Sequence, residues 1–238
     1  VRQSRIHTRQ PLSPDGIVEL EEKAGHYLTR VLRLSKGDTV ILFNGDGKDY
    51  PAEITEARSQ RVLVKILDAR FPENESPLKI TLVQAVCRGE RMDYALQKAT
   101  ELGVFCIQPL ITRRVEVRLD AARQTKRITH WQNVVISACE QSGRACVPEV
   151  RTPLSLPEWV VGADQSPRLI LDPLSDNKLS GVSAGGVSTS IMIGPEGGFT
   201  DEEMELARQH GITAVSLGPR VLRTETAGPA AIAVLQSR

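Results

Sequence analysis

The chain has 238 residues, 40% hydrophobic and 25% charged, which suits one large globular domain or two modest ones with a sizeable buried core. Its 30 Lys and Arg balance 29 Asp and Glu to a net charge of +1, which argues against partner binding by bulk attraction and leaves local basic clusters as the electrostatic route. No apolar run approaches the roughly 20 residues that span a bilayer, and the first residues, VRQSRIHTRQPL, lack the apolar segment of a secretory signal, so a soluble cytoplasmic protein is expected. Cys87, Cys106, Cys139 and Cys146 show no C-x-x-C spacing and the four histidines are scattered, so free buried thiols and no metal are expected.

Up to about residue 70 the pattern is short strands separated by turns: IVEL (17–20), DTVILF (38–43), PAEITEA (51–57) and RVLVKILDA (61–69), a small β-barrel or sandwich signal. HYLTRVLRL (26–34) has helical apolar spacing and predicts a short helix with Arg30 and Arg33 on its outer face. That face is either merely solvated or an RNA contact. It belongs to a basic cluster of Arg2, Arg5, Arg9, Lys23, Arg30 and Arg33 set against Asp15, Glu19, Glu21 and Glu22. Asn44-Gly45-Asp46-Gly47 reads as a hairpin turn rather than a phosphate loop, because no G-K-[ST] follows. FPENESP (71–77), with two prolines among polar residues, is the best linker and divides the chain into domains 1–72 and 73–238.

Beyond the linker, strands alternate with helices. LKITLVQAV (78–86), VFCIQPL (104–110), RLILD (168–172), TSIMIG (189–194) and TAVSLG (213–218) read as strands. RMDYALQKATEL (91–102), with Gly103 as its stop, and the amphipathic segment 121–144 read as helices. This rhythm predicts an α/β domain with a mostly parallel sheet covered on both faces. Ligands in such sheets lie beyond the carboxyl ends of the strands, where Asp172-Pro173, Gly194-Pro195 and Gly218-Pro219 fall.

In GPEGGFTDEE (194–203), Thr200 and Glu203 form a capping box and start a helix, so Gly194 to Phe199 is a glycine-rich loop entering it. A phosphate cradle is disfavoured: Glu196 and the acidic first turn repel an anion and the loop has no lysine. A neutral or cationic ligand fits better, and a purely structural turn is the alternative. LGPRVLRTETAGPAAIAVLQ (217–236) presents Arg220, Arg223 and Glu225 before another helix, with Pro229 expected in its first turn. Those three charges are either a structural ion-pair network or part of a site.

GPEGG and LGPRVLRTETA together resemble the RsmE family of ribosomal RNA uridine methyltransferases, a branch of the SPOUT superfamily. HYLTRVLRL, QKATELGV (97–104) and ACEQSGR (138–144) resemble its other signatures, so the likeness covers nearly the whole chain. It implies a PUA-like β-barrel for RNA followed by a SPOUT-type α/β domain whose C-terminal segment forms a deep trefoil knot, a feature that strand and helix signals cannot predict. It also implies a homodimeric enzyme that uses S-adenosylmethionine to make N3-methyluridine at position 1498 of 16S RNA in the small ribosomal subunit. A non-catalytic RNA-binding or assembly protein on the same fold, or a knotted enzyme acting on a ribose hydroxyl or transfer RNA, are the alternatives.

By the same resemblance Leu171, Gly194, Glu196, Gly197, Gly198, Leu217, Gly218 and Leu222 surround the cofactor. Arg220, Arg223 and Glu225 lie near the target base, and Glu140, Gln141 and Arg144 complete the pocket. Leu171-Asp172-Pro173 departs from the His or Asn found before this proline in many members. Because the N3 of uridine carries a proton, transfer to it needs a base or an anion-stabilising cation. Glu225 is the first candidate for the base, with Glu196 second, and Arg223 for the cation. Arg5, Arg9, Arg30 and Arg33 are the expected phosphate contacts.

Overall fold

The computed structural model describes residues 3–58, 61–114, 121–162, 166–182 and 186–237. It divides into two compact units: Val1–Glu75 with Ile136–Val147, and Ser76–Val135 with Pro148–Arg238. The chain first passes from one unit to the other inside the FPENESP segment. The first unit is therefore not contiguous in sequence.

In the first unit β1 (Arg5–His7), β2 (Ile17–Glu19), β3 (Thr39–Phe43), β4 (Tyr50–Arg58) and β5 (Arg61–Ile66) form one sheet in the order β1-β3-β4-β5-β2. All its pairings are antiparallel except that of β1 with β3. Alternate residues Val40 and Leu42, Ala52 and Ile54, and Val62, Val64 and Ile66 point into a core that Ile6 and Leu28 also enter. The segment 44–49 makes the β3–β4 turn, as its Asn-Gly-Asp-Gly run predicts.

The helix expected over 26–34 differs in form. Helix α1 (Glu22–His26) runs into a π turn at Tyr27–Val31, in which Leu32 N–H reaches back five residues to Tyr27 O. Arg33 closes it in the left-handed region (φ 56°) while Leu34 N–H bonds to Leu28 O at 2.9 Å. Leu28 is thereby buried, and Arg30 and Arg33 are exposed.

The second unit contains β6 (Lys79–Ala85), α2 (Glu90–Glu101), β7 (Cys106–Ile111), most of α3 (Ala121–Ser142), β8 (Glu149–Val150), β9 (Leu154–Ser155), α4 (Leu156–Gly162), β10 (Arg168–Leu171), β11 (Ser188–Ile193), α5 (Asp201–Gln209), β12 (Thr213–Val215) and α6 (Thr224–Gln236). The sheet order is β12-β10-β11-β6-β7-β8, with β9 also on β7, and every pairing is parallel. Val83, Leu110, Ile170 and Met192 face a core shared with Trp159 and Val160 of α4 and Ala207 of α5. On the sheet's other face, α6 comes so close at Gly228 that a Cβ there would lie 3.2 Å from Leu82 Cδ1.

Pro229 is not in the first turn of its helix. Helix α6 begins at Thr224, so Pro229 is its sixth residue and lies inside it. Its ring removes the N–H that would bond Glu225 O, a cost of about 3 kcal/mol in a helix interior. Burial of Ala227, Ala231, Ile232 and Leu235 offsets that cost.

Candidate active site at the carboxyl ends of the parallel strands

Because β10 lies between β11 and β12 and all three run parallel, the turns after Leu171, Ile193 and Val215 emerge side by side. After β11, Gly198 N–H donates to Pro195 O at 2.9 Å, and Gly198 has a φ of 69°, a left-handed value that favours glycine. The loop folds back on itself: a Cβ on Gly194 would meet the Phe199 ring at 3.1 Å. Helix α5 then starts as predicted, Glu203 N–H donating to Thr200 Oγ1 and Thr200 N–H to Glu203 Oε2.

Neighbouring segments brace this loop. Arg91 Nη1 donates to Glu196 Oε1 at 2.8 Å, and the Arg88 backbone also bonds the Glu196 carboxylate. Burial alone would raise the Glu196 pKa, but these hydrogen bonds, the carboxylate's bond to its own backbone and the Arg91 charge hold it below the ordinary carboxylate value. Arg114 Nη1 donates to Gly197 O at 2.7 Å and to Phe199 O at 3.2 Å. Arg113 N–H donates to Glu203 Oε1 at 2.8 Å. Thr224 Oγ1 donates to Gly194 O at 2.6 Å.

The second loop is different. Ser216 pairs with Lys178 in an isolated parallel bridge, and then residues 217–222 make no hydrogen bond with the described residues. Leu217, Gly218 and Leu222 are half-buried, as is Leu171 on β10, while Val221 is 81% exposed. The main chain here offers N–H and C=O groups to a ligand beside apolar side chains. Asp172 acts locally, its Oδ1 accepting from Leu174 N–H at 2.9 Å and so shaping the turn after β10.

Arg223 is the N-cap of α6, and its Nη1 lies 4.0 Å from Glu225 Oε1. The Arg223 side chain is exposed, whereas that of Glu225 is only 14% exposed and its Oε2 is buried with no hydrogen-bond partner among the described residues. Cys87, just beyond β6, feels both carboxylates of the site. Burial first, then the charges of Glu196 and Glu225, push its thiol up to about 11 against the Thr224 hydrogen bond, so it is neutral at physiological pH. Arg220 is exposed.

The expected RNA contacts separate into two groups. Arg5 makes a bidentate pair with Asp49 (2.5 and 2.8 Å), its side chain 7% exposed, and donates to Arg144 O. Arg144 makes its own bidentate pair with Glu75 (2.9 and 2.6 Å) and is buried. Both guanidiniums are thus occupied inside the first unit rather than turned to phosphate. Glu140 Oε1 accepts from His7 N–H at 3.1 Å, and burial raises its pKa. Arg9, Arg30, Arg33 and Gln141 are exposed, while Arg2 lies outside the described residues. Sequence reasoning missed Gln84, Arg91, Arg114 and Thr224 as parts of the site. The Arg91–Glu196 partners lie 105 residues apart, and nothing local marks either for the other.

Parallel strands, a glycine-rich loop unsuited to phosphate and a buried carboxylate oxygen with no partner among the described residues define a ligand-binding α/β domain in a chain that also holds a small, strand-rich unit. Comparison with known proteins makes this specific. Residues 74–236 match the RNA methyltransferase domain family and residues 20–67 the RNA methyltransferase PUA domain family. The ribosomal RNA small subunit methyltransferase E of Buchnera aphidicola (subsp. Schizaphis graminum) is 33% identical over 98% of this chain and 95% of its own length. Among solved structures, a Legionella pneumophila methyltransferase in complex with S-adenosylmethionine matches with a TM-score of 0.96 at 43% identity, covering 100% of this chain and 98% of that one. The Neisseria gonorrhoeae ribosomal RNA small subunit methyltransferase E bound to S-adenosylmethionine matches with a TM-score of 0.94 at 39% identity, covering 99% and 98%. The chain belongs to the ribosomal RNA small subunit methyltransferase E family.

Proposed function

We propose that this protein methylates N3 of a uridine, position 1498 in conventional numbering, in the 16S RNA of the small ribosomal subunit, with S-adenosylmethionine as methyl donor. The observation that carries the reading is Glu225, with one buried carboxylate oxygen that has no partner among the described residues, beside two Gly-Pro loops that follow β11 and β12, the parallel strands on either side of β10. The cofactor found in the Legionella and Neisseria relatives suits this site. The loops lack a lysine for phosphate, the main chain of 217–222 is open to an adenine edge, and Leu171, Leu217 and Leu222 supply apolar contact. Gly198 and Gly218, with positive φ and nothing closer than 4.0 Å to where a Cβ would stand, let main chain approach it closely, while Gly194 and Gly197 make room for Phe199 and Arg114.

When bound, S-adenosylmethionine supplies an electrophilic methyl group. The protein must line up the acceptor nitrogen and remove its proton. Glu225 accepts the N3 proton, and Arg223 stabilises the negative charge that spreads onto the flanking carbonyl oxygens of the base. Glu196, tied to Arg91 and the Arg88 backbone, acts as a strut and not as the base. Arg220, exposed near the same loop, holds RNA. On the first unit Arg9, Arg30 and Arg33 are the phosphate contacts, with Gln141 as a neutral one. Ser216 pairs with residues 177 and 178 before the chain turns into α6, which suits the threading of a C-terminal trefoil knot. The enzyme works in the cytoplasm as a homodimer, a state that light scattering tests by returning twice 26.1 kDa.

Glu225→Gln tests the assignment. Single-turnover methylation should fall by about 10²–10⁴-fold, the range for a lost general base, with S-adenosylmethionine affinity retained. A rate within a few-fold of wild type would remove Glu225 from that role.

A further inference from the structure

Thr224 sits between the two residues assigned to the chemistry, and it is buried. Its hydroxyl accepts from Gln84 Nε2 at 3.0 Å and donates to Gly194 O at 2.6 Å. Gln84, fully buried on β6, also directs Nε2 to Ala85 O at 3.2 Å and toward Cys87 Sγ at 3.6 Å. A backbone carbonyl only accepts, so the amide nitrogen must face Ala85 O, and the rotamer of the whole amide is set. Thr224 Oγ1 then receives a proton from Gln84 and has one of its own to give; Gly194 O at 2.6 Å is a far closer acceptor than Cys87 Sγ at 3.7 Å. The relay links the end of β6, the start of α6 and the first residue of the braced loop.

The arrangement leaves Gln84 Oε1 buried with no partner among the described residues, 3.2 Å from where a Cβ on Gly228 would lie. Packing alone would favour Leu or Met here, between Leu82, Ile193 and Gly228, because neither leaves an acceptor unsatisfied. What the amide adds over Leu or Met is a donor to Thr224 Oγ1.

We propose that Thr224 is a positioning residue of the methyl-transfer site and that Gln84 sets the direction of its hydroxyl. Through this relay the loop 194–198 and the loop 217–222 keep one register, and Arg223 and Glu225 are held at a fixed distance from Gly194. The proposal rests on the S-adenosylmethionine-dependent reading above.

The test is calorimetry with S-adenosylmethionine, RNA binding and single-turnover methylation on wild type, Thr224→Val, Thr224→Ser and Gln84→Met, each checked by thermal melting. Thr224→Val keeps the shape and removes the hydroxyl. It should weaken cofactor binding about tenfold and slow transfer at saturating cofactor by roughly 10–100-fold, the scale of a sub-ångström to 1 Å misplacement, with RNA affinity unchanged. Thr224→Ser should restore both to within about twofold, and Gln84→Met, which keeps the hydroxyl but frees its direction, should fall between. If Thr224→Val does not fold, Gln84→Met carries the test. Wild-type cofactor affinity and rate in the folded Val variant, or in Gln84→Met, would overturn the relay. So would a Ser variant as impaired as Val. A wild-type protein that bound no S-adenosylmethionine would overturn the functional reading itself.

Discussion

The two Gly-Pro loops look alike in sequence and are built in opposite ways. Residues 194–199 are held by Arg91, Arg114, Thr224 and the capping box of α5, so their conformation is set before any ligand arrives. Residues 217–222 have no such bracing among the described residues, which leaves their backbone groups to an incoming partner. A Gly-Pro turn thus signals a change of direction, but its neighbours decide whether it becomes a wall or a contact surface. The arginines teach the same lesson. Arg5 and Arg144 are buried in bidentate pairs, while Arg9, Arg30 and Arg33, from the same basic stretch or a similar signature, face solvent.

The contrast among arginines gives the largest effect. Arg5→Ala would leave the half-buried Asp49 carboxylate without its bidentate partner, a loss of up to about 3 kcal/mol, read as a lower midpoint in denaturant. Arg9→Ala should leave that midpoint unchanged and lower the salt slope of RNA binding by about one. An Arg5 variant as stable as wild type would erase the distinction.

The brace on the first loop comes next. Arg91→Ala should weaken S-adenosylmethionine binding by about tenfold, and the Arg91→Ala, Glu196→Ala double variant should lose no more than either single one, because the two act as one strut. The Glu196 pKa is lowered by folding, so its contribution is complete above the ordinary carboxylate value and disappears only as pH falls through the lower, folded value. Cofactor affinity should therefore show no step from Glu196 between about pH 6 and 8. An additive double variant would show the strut to be two separate interactions.

The smallest effect is a rate difference with no change in sequence. Amide hydrogen exchange should be slow at Gly198, whose N–H is bonded to Pro195 O, with or without S-adenosylmethionine. It should be fast over 217–222 and slow there once the cofactor is added, excepting Pro219, which has no N–H. Equal protection of both loops without cofactor would contradict the contrast.

The parallel sheet was legible because strands buried on both faces read as apolar runs, and the capping box at Thr200 and Glu203 was readable from four residues. Strands β1, β8 and β9, of two or three residues, are too short to show alternation. Pro229 was misplaced because helix burial outweighs the local rule against an interior proline. The grouping of 136–147 with the first unit depends on Arg144–Glu75 and Glu140–His7 contacts spanning 69 and 133 residues, beyond any local pattern. At the site, residue chemistry led to two ligand loops unsuited to phosphate. The resemblance carried by GPEGG and LGPRVLRTETA supplied the cofactor and substrate. Neither indicated Gln84 or Thr224, whose roles arise where three segments meet.

Methylation of uridine N3 can be read by incubating the purified protein with unmethylated small subunits and methyl-labelled S-adenosylmethionine, followed by mass spectrometry of 16S RNA digests. A single labelled nucleoside is expected, N3-methyluridine at position 1498. Label on a ribose hydroxyl, on another nucleotide or on transfer RNA, or no label in a protein that binds RNA, would contradict it.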